Sequence, residues 1–412
     1  MVSVPFVLAA LAVTAPAVSQ KPFYRSELIF PTQKLHNHGS CVVELPGGDL
    51  MAVWYRGSGE RRADDVAIHG ARLRKGGRQW TKPLVFADTP GFPDTNPCSI
   101  VDPKGRFWVF WVTVQDNQWE SGLLKYVVSS NYTRADRAPV WQTEKVLHIK
   151  PGPEFQETVN RELPAQYAAA KALATPDQQR EIDADLTSKR EMLQKTLTVR
   201  LGWMTRPHPT ILDGKRLIVP LYSDGFDFSL MTYTDDWGAT WQVSAPMPGL
   251  ANVQPSLVQR KDGSLVAYMR DNGPPPQRVP VSESRDRGVT WSPVRDSEVV
   301  DSGAGVEAIV LKSGRWLLVS NDVERGRHRL GMAISEDEGA TWPWVTYLED
   351  DSGAEGPGSY SYPSIIQASD GAIHVTYSYS PNNAARKRLG EGESIKHAHF
   401  NEAWLLSMRK PR

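Results

Sequence analysis

Short runs of apolar and β-branched residues, each bounded by a polar turn that contains glycine, recur along most of the chain. In residues 39–54 one such run leads through a Gly-Gly turn into a second, and residues 97–111 repeat this arrangement in the same register. Pairs of apolar runs joined in this way predict antiparallel β-hairpins. Further units begin near His208, Gln254, Gly305 and Tyr362. Six units of three to four strands predict an all-β fold, a six-bladed β-propeller.

A second repeat lies within these units. Residues 335–342 read S-E-D-E-G-A-T-W, and related copies occupy residues 234–241 and 284–291. Counted from Asp to Asp, the copies are 50 and 51 residues apart, as expected for one repeated supersecondary unit. The carboxylate and hydroxyl groups can bond local backbone N–H groups, the Gly can take a positive φ, and the Trp can cover the turn. We predict that these turns are structural and lie at the rim of the blades.

Two segments fall outside the repeat. Residues 27–30 form a short apolar run, which we expect to pair with the final unit at residues 395–406 and to close the ring, so that no sheet edge is left exposed. Residues 153–198 are rich in Lys, Glu, Gln and Ala, with apolar residues at helical spacing. They predict a helical insertion between blades two and three, with Pro176 in the first turn of its second helix. The insertion is either a helical hairpin packed on the rim or a wall beside the active site.

The N-terminus predicts export. Residues 1–20 contain an apolar run that ends in small residues and is short for a membrane span. We therefore expect a signal peptide over residues 1–20, a propeller over residues 21–412, and a secreted or periplasmic protein with no membrane span after cleavage. The 47 basic and 47 acidic residues balance, so net charge favours neither nucleic acid nor an acidic membrane as a partner.

The chain has two cysteines, Cys41 and Cys98, at equivalent positions of the first two units. In an exported protein they can form a disulfide, and two buried thiols are the alternative. Two cysteines without suitably spaced histidines do not predict a zinc site, and we expect neither a metal nor a cofactor.

Polar residues that flank the first two strands of each unit should converge on the axis of a propeller. Many of them carry basic, aromatic, carboxylate or amide groups: His36, Asn37, His38, Arg56, Glu60, Asp64, Asp65, Asn96, Trp119, Arg206, His208, Tyr222, Asp224, Gln254, Arg270, Glu307, Arg327, Tyr360 and Tyr362. Arginine binds carboxylates, carboxylates transfer protons, and aromatic rings pack on sugar faces. The set indicates an acidic sugar as ligand.

The Asp-containing turns and this set of residues resemble those of the sialidase (neuraminidase) superfamily over the whole mature chain. The resemblance implies three arginines that bind the substrate carboxylate, an aspartate that acts as acid and base, and a tyrosine nucleophile activated by a glutamate. The second arginine of that triad corresponds to Arg270, which ends the run 262–270. The third corresponds to Arg327, with Arg325 and Arg329 as alternatives.

The same resemblance assigns the reacting groups. The nucleophile corresponds to Tyr362, eight residues before an Asp-Gly turn, with Tyr360 as the alternative. The acid and base should lie in the loop between the second and third strands of the first unit. Asp64 and Asp65 match that position, and Glu60 is a further candidate.

Two positions depart from the family pattern. Asn37 stands where the first arginine is expected, and Gln254 stands where the activating glutamate is expected. A neutral amide can orient a phenol but cannot take its proton. Either His36, His38 or His208 performs part of this work, since histidine titrates near neutral pH, or the substrate is not an ordinary sialoside.

The resemblance therefore implies an exported glycoside hydrolase, an exo-α-sialidase that releases a terminal sialic acid or a similar acidic sugar. One alternative is a lyase or hydrolase that acts on uronic-acid polysaccharides. A further alternative is a glycan-binding propeller without catalytic activity.

Overall fold

The computed structural model describes residues 21–273 and 276–412, so the expected signal peptide at residues 1–20 lies outside the described residues. In the described part, 25 strands form six antiparallel sheets, which we number in chain order. Sheet 1 contains β2 (His36–Glu44), β3 (Leu50–Gly57), β4 (Ala67–Leu73) and β5 (Leu84–Ala87). Sheet 2 contains β6 (Asp94–Val101), β7 (Phe107–Val114), β8 (Gly122–Ser129) and β9 (Thr143–Val146). Sheet 3 contains β10 (Thr210–Leu212), β11 (Arg216–Ser223), β12 (Phe228–Thr234) and β13 (Gln242–Val243).

The second half of the chain repeats this arrangement. Sheet 4 contains β14 (Asn252–Gln259), β15 (Leu265–Asp271), β16 (Arg278–Ser284) and β17 (Arg295–Val300). Sheet 5 contains β18 (Glu307–Val310), β19 (Trp316–Asn321), β20 (Arg329–Ser335), β21 (Trp344–Asp350) and β25 (Lys410–Pro411). Sheet 6 contains β22 (Ser359–Gln367), β23 (Ile373–Ser380), β24 (Ser394–Phe400) and β1 (Tyr24–Leu28). This architecture is all-β and consistent with a β-propeller.

The pairing of the N-terminal strand with the last unit is confirmed. Strand β1 runs antiparallel to β24, with Tyr24 opposite Phe400 and Leu28 opposite Lys396. The strand begins and ends earlier than expected, because the ring of Phe30 instead packs on Trp54 in the core, with ring centroids 5.1 Å apart. The expected run over residues 395–406 is also shorter. It ends at Phe400, after which Asn401 caps the helix Glu402–Met408 by accepting a hydrogen bond from the backbone N–H of Trp404 (3.0 Å).

The repeated Asp turns bind their own backbone. Asp236 Oδ1 accepts from the N–H of Thr240 (2.8 Å), and its Oδ2 accepts from the Thr240 hydroxyl (2.6 Å). Asp286 and Asp337 make the same two bonds within their own turns. At Gly339, φ is 81°, and an added Cβ would come within 2.9 Å of the Trp316 ring, so both conformation and space require glycine.

Three helices lie between β9 and β10 in the chain: α1 (Glu154–Ala172), α2 (Pro176–Leu193) and α3 (Thr196–Arg200). The side chain of Thr175 caps α2 in a capping box, and Pro176 opens that helix as expected. Helix α1 buries Phe155 among aromatic rings, 5.7 Å from the ring of Phe226. From α2, buried Lys189 donates to Asp227 (3.3 Å) in the loop between β11 and β12. The helices therefore support that loop from outside.

Two shorter helices and a 3₁₀ turn complete the described elements: α4 (Asn383–Leu389), α5 (Glu402–Met408) and the turn Trp119–Ser121. Cys41 and Cys98 are both buried free thiols, which is the second of the two alternatives above. Among the described helices, none has the length and apolar character needed to cross a membrane.

Candidate active site

The first strands of four sheets are interrupted at the same place. Strands β2, β6, β14 and β22 each shift register in the middle through a bulge. At the bulge, Gly39, Asn96, Gln254 and Tyr362 all have positive φ, between 51° and 63°. Non-glycine residues in this conformation are strained and are enriched at functional sites, and a bulge re-aims the side chain that it carries. The repeated bulge turns Asn96, Gln254 and Tyr362 toward one cavity.

This cavity has a volume of about 470 Å³. Its lining combines cationic, acidic, aromatic and small polar residues: His36, Asn37, His38, Glu60, Asn96, Trp119, Tyr222, Asp224, Gln254, Arg270, Asn272, Arg327, Ser359, Ser361, Tyr362, Ser378, Tyr379, Ser380 and Glu393. Nine of the residues expected as catalytic or substrate-binding lie in this set: His36, Asn37, His38, Asn96, Tyr222, Gln254, Arg270, Arg327 and Tyr362. The structure thus brings together side chains from strands of five sheets and from loops, and sheet 5 contributes Arg327 from the loop between β19 and β20.

Tyr362 lies among three guanidinium groups. Arg270 Nη1 donates to its hydroxyl (2.9 Å), and the guanidinium carbons of Arg206 and Arg327 lie 4.8 and 5.2 Å from its ring centroid. Burial by itself raises the pKa of Tyr362, but the charges of Arg270 and Arg327, with smaller contributions from Gln254 and Arg206, lower it overall. The arginines therefore stabilise the phenolate form of Tyr362 relative to that of a free tyrosine.

The two cavity arginines have no carboxylate partner among the described residues. Arg270 donates to the hydroxyl of Tyr362 and to Asn272 Oδ1 (2.7 Å), and its buried Nε has no partner. The Arg327 side chain makes one long hydrogen bond among the described residues, 3.5 Å from Nη1 to the Ser361 hydroxyl. Such a pair of half-buried guanidinium groups in the cavity lining can bind an anionic ligand group.

Gln254 and Asn96 act together on a second tyrosine. Their side-chain amides donate to the hydroxyl of Tyr222 at 3.3 and 3.1 Å. Burial and the nearby Asp224 raise the pKa of Tyr222 well above its ordinary value, so this phenol stays neutral. The remaining amide oxygen of Gln254 is buried without a partner among the described residues. Gln254 thus orients phenols and has no group that can take a proton from them.

Carboxylates reach the cavity from three places. Glu60 accepts from the Tyr55 hydroxyl (2.8 Å), and Glu393 accepts from His36 Nδ1 (2.9 Å). Asp224 follows β11, and burial raises its pKa to about 6, although Arg270 acts in the opposite direction. Within residues 21–273 and 276–412, no group of three or more His, Cys, Asp or Glu side chains is placed to hold a metal ion.

Asp64 and Asp65 are not part of the cavity lining. Both are exposed, and the carboxylate of Asp65 instead accepts from the backbone N–H (2.9 and 3.1 Å) and hydroxyl (2.8 Å) of Ser58, which closes their loop. The carboxylate of this loop that lines the cavity is Glu60. The carboxylate of Asp65 is used to close the loop and therefore does not reach the cavity.

Arg56, Arg206 and Tyr360 also lie outside the lining. Arg56 donates to Gln33 Oε1 (2.6 Å). Arg206 is buried under Tyr362 and donates to the backbone oxygens of Ser40 (3.2 Å) and Pro363 (3.3 Å). Tyr360 donates to Asp351 Oδ2 (2.5 Å), and burial together with that carboxylate raises its pKa.

His208 belongs to a buried link between sheets rather than to the cavity. Its backbone N–H and Nδ1 bond Glu307 Oε1 at 2.8 and 2.7 Å, and its Nε2 bonds the carbonyl of Val42 (2.8 Å). Glu307 Oε2 accepts from the N–H of Ile365 (2.9 Å). Burial alone lowers the pKa of His208, but Cys41 and Glu307 raise it well above 6.5. The pair thus ties sheets 1, 3, 5 and 6 together.

Replacing His208 by alanine should lower the free energy of unfolding by about 3–5 kcal/mol, because Glu307 loses its buried partner. Burial raises and His208 lowers the pKa of Glu307, with a net lowering. The stability that protonated His208 contributes is fully present below the ordinary pKa of histidine. It is lost as pH rises through the raised pKa that His208 has in the folded protein. The contribution of Glu307 is lost as pH falls through its lowered pKa. Urea unfolding at about pH 6 and pH 9 measures the effect of His208, and the effect of Glu307 is measured by extending the series below pH 4.5.

The control for this prediction is Asp136→Asn, which removes an exposed ion pair with Arg134 and should leave the urea midpoint unchanged. A loss of stability below about 1 kcal/mol for His208→Ala at pH 6 would contradict the assigned link.

Seven lining residues are not among the candidates named from the sequence: Asn272, Ser359, Ser361, Ser378, Tyr379, Ser380 and Glu393. Glu393 lies just before β24, and Asn272 lies just after β15, each outside the repeated positions. Their proximity to His36 and Arg270 depends on loop conformation. Only a charge placed next to a strand end at Glu393 hints at a role.

Comparisons with known proteins agree with the architecture. The family model described as BNR repeat-like domain matches residues 48–204 and 183–375. No curated protein sequence matches the chain significantly. A protein of unknown function from Dyadobacter fermentans is structurally similar with a TM-score of 0.65 at 15% identity, covering 92% of this chain and 99% of that one.

Two sialidase structures are also similar. For the NanB sialidase of Streptococcus pneumoniae, the TM-score is 0.64 at 13% identity, over 92% of this chain and 71% of that one. For the intramolecular trans-sialidase of Ruminococcus gnavus, the TM-score is 0.63 at 14% identity, over 92% of this chain and 97% of that one. At these identities the likeness shows the fold alone, which is sialidase-like.

Proposed function

The chain belongs to the family of BNR repeat-like domains, and on that premise we propose that it is a glycoside hydrolase, an exo-α-sialidase that releases a terminal sialic acid or a similar acidic sugar. The observation that carries the proposal is the placement of Arg270 and Arg327 around Tyr362, without a carboxylate partner among the described residues. Two guanidinium groups beside a phenol with a lowered pKa match a substrate that has a carboxylate next to its anomeric carbon.

The architecture that goes with this proposal is a six-bladed propeller over residues 21–412. Sheets 1 to 6 are its blades, and the helices at residues 154–200 are an insertion between blades two and three. Export follows from the apolar pattern of residues 1–20. The insertion contacts the loop between β11 and β12 through Lys189 and contributes no residue to the described lining.

In the proposed first step, Arg270 and Arg327 bind the sugar carboxylate, and the phenolate of Tyr362 attacks the anomeric carbon. The bond from that carbon to the glycosidic oxygen breaks as the bond to the Tyr362 oxygen forms. Asp224 donates its proton to the departing oxygen. The arginines supply by electrostatics the activation that Gln254 cannot supply as a base.

In the second step, water attacks the anomeric carbon of the glycosyl-tyrosine intermediate. Asp224, now ionised, takes the proton of the water, and Tyr362 leaves as a phenolate. We assign the acid to Asp224 because it lines the cavity with a pKa of about 6, close to the operating range of an acid catalyst. Glu60 is the second candidate.

The direct test is a comparison of aryl glycosides that share one chromophore. We expect release from an aryl α-sialoside and none from the matching β-glucuronide or β-galactoside. Release from the glucuronide alone, or ultraviolet absorbance from an unsaturated product with uronic-acid polymers, would replace the proposal by the uronate alternative. Binding of sialosides without any release would leave a glycan-binding protein.

Arg327→Ala should raise KM for the sialoside by about 10-fold or more, because a charged hydrogen bond to the carboxylate is lost. Arg329→Ala is the matched control, since the Arg329 guanidinium packs on the Tyr347 ring at 4.0 Å, away from the lining. Steady-state kinetics should give a KM within about 3-fold of wild type for this variant. Equal effects of the two variants would contradict the assignment of Arg327.

A further inference from the structure

His36 contacts the cavity with one side of its ring and a carboxylate with the other. Its Nδ1 bonds Glu393 Oε2 (2.9 Å), and the same oxygen accepts from the N–H of Asn37 (3.0 Å). These two bonds fix Glu393 against the start of β2. The opposite ring nitrogen, Nε2, is buried without a partner among the described residues, while the ring lines the cavity. When the ring is protonated, its Nε2–H is therefore a donor on the side opposite Glu393 that is free for a ligand.

The neighbouring residues of β2 cannot provide this contact. The amide of Asn37 donates to the carbonyl of Leu35 (2.6 Å) and accepts from Gln33 and Trp54, so both of its ends are used inside the fold. Alternation along the strand places His36 and His38 on the other face, with ring centroids 5.1 Å apart. Burial, then the nearby cations, lower the pKa of His38 well below its ordinary value, so this ring is neutral.

Charged groups face His36 from several elements. Glu393 precedes β24, and Glu60 comes from the loop after β3, and both favour the protonated ring. Arg327, from the loop before β20, opposes protonation, as does burial, which is the largest single effect. The Tyr55 ring on β3 lies 5.8 Å from the His36 ring and is neutral, because burial raises its pKa well above 10. The net effect is a raised pKa for His36.

We propose that protonated His36, held by Glu393, is the third cation that binds the carboxylate of the acidic sugar, together with Arg270 and Arg327. This inference rests on the proposed function and deepens it. It assigns to His36 and Glu393 the task that Asn37 cannot perform. Since the third cation is an imidazolium, the affinity of the site for an acidic sugar is titratable, in contrast to a site built from three guanidinium groups.

The direction of the pH dependence follows from the charge. Below the raised pKa of His36 the ring is cationic, and the sugar carboxylate is ionised, so binding is strongest. As pH rises through that pKa, the cation is lost and the affinity falls. Loss of one charged hydrogen bond corresponds to a decrease of about 10-fold or more.

The test uses the full chain carrying Tyr362→Phe, which removes the titration of that phenol and prevents turnover. Calorimetry then gives the Kd of an intact α-sialoside between about pH 6.5 and 9, above the pKa of about 6 that Asp224 has. We expect the Kd to rise by about 10-fold or more across this range. Adding His36→Gln should give weak, pH-independent binding, and adding His36→Arg should give binding that no longer weakens with pH.

Two further variants sharpen the result. Glu393→Gln should move the midpoint of the transition to lower pH, because the ring loses the charge that keeps it protonated. His148→Gln, an exposed histidine outside the cavity, should keep the reference profile. Circular dichroism verifies that each variant is folded.

The experiment distinguishes failure of the proposed function from failure of the role given to His36. If the reference protein shows no saturable binding of the sialoside at any of these pH values, the proposed function is wrong and this inference falls with it. If the reference protein binds but His36→Gln follows the same pH profile with the same Kd, the inference alone is wrong. The same holds if Glu393→Gln leaves the midpoint unchanged.

Discussion

Replacing Tyr362 by phenylalanine is expected to lower kcat for sialoside hydrolysis by on the order of 10³-fold or more, because the variant lacks the oxygen that attacks the anomeric carbon. The fold should tolerate the change, since the hydroxyl accepts from Arg270 at 2.9 Å within the cavity and the ring keeps its contacts with His38 and Arg327. Binding of the sialoside should persist. Single-turnover kinetics and calorimetry on the same preparation separate the two effects.

The matched control is Tyr360→Phe, two residues earlier on the same strand. Tyr360 donates to Asp351 (2.5 Å) and has a raised pKa, whereas that of Tyr362 is lowered. We expect turnover by Tyr360→Phe within about 3-fold of wild type. A comparable loss in both variants, or undiminished turnover by Tyr362→Phe, would remove Tyr362 from its assigned role.

Asp224→Asn should reduce hydrolysis of alkyl sialosides by about 10² to 10⁴-fold, which is the range for loss of a general acid. An aryl sialoside with an acidic phenol as leaving group needs little protonation. The rate of its first step should therefore decrease far less. The limb of the pH–rate profile with a midpoint near 6 should disappear, because burial raises the pKa of Asp224 to about 6 in the wild type. Steady-state rates for both substrate types across pH measure this.

Two variants control this prediction. Asp64→Asn changes an exposed carboxylate of the loop that the family resemblance favours, and it should leave both rates unchanged. Glu60→Gln tests the second carboxylate in the lining. A selective loss on alkyl sialosides in Glu60→Gln, with none in Asp224→Asn, would transfer the acid role to Glu60.

Much of the fold could be predicted because it rests on local rules. The Gly turns between apolar runs determine hairpins, and the Asp turns bind only their own backbone, as Asp236 does with Thr240. The pairing of the N-terminal strand with the last sheet followed from its need for a partner. The predicted end of the last strand of that sheet was wrong, because Asn401, which caps a helix, was counted within an apolar run.

The site was less predictable, because its geometry is not local. Positive φ angles at Asn96, Gln254 and Tyr362 re-aim side chains that simple alternation would place elsewhere. Within one loop, Glu60 lines the cavity while Asp65 binds Ser58, and the order of residues gives no reason for the choice. Glu393 meets His36 across more than 350 positions of the chain.

In the proposed mechanism, Tyr362 attacks the anomeric carbon of an acidic sugar that Arg270 and Arg327 hold. The most direct measurement is intact-protein and peptide mass spectrometry after incubation with 2,3-difluorosialic acid. Attack at its anomeric carbon expels fluoride, and the remaining fluorine slows hydrolysis of the product. We predict one added sugar on the peptide that contains Tyr362, and none in Tyr362→Phe. An adduct on another residue, or no adduct at a concentration that saturates binding, would contradict the claim.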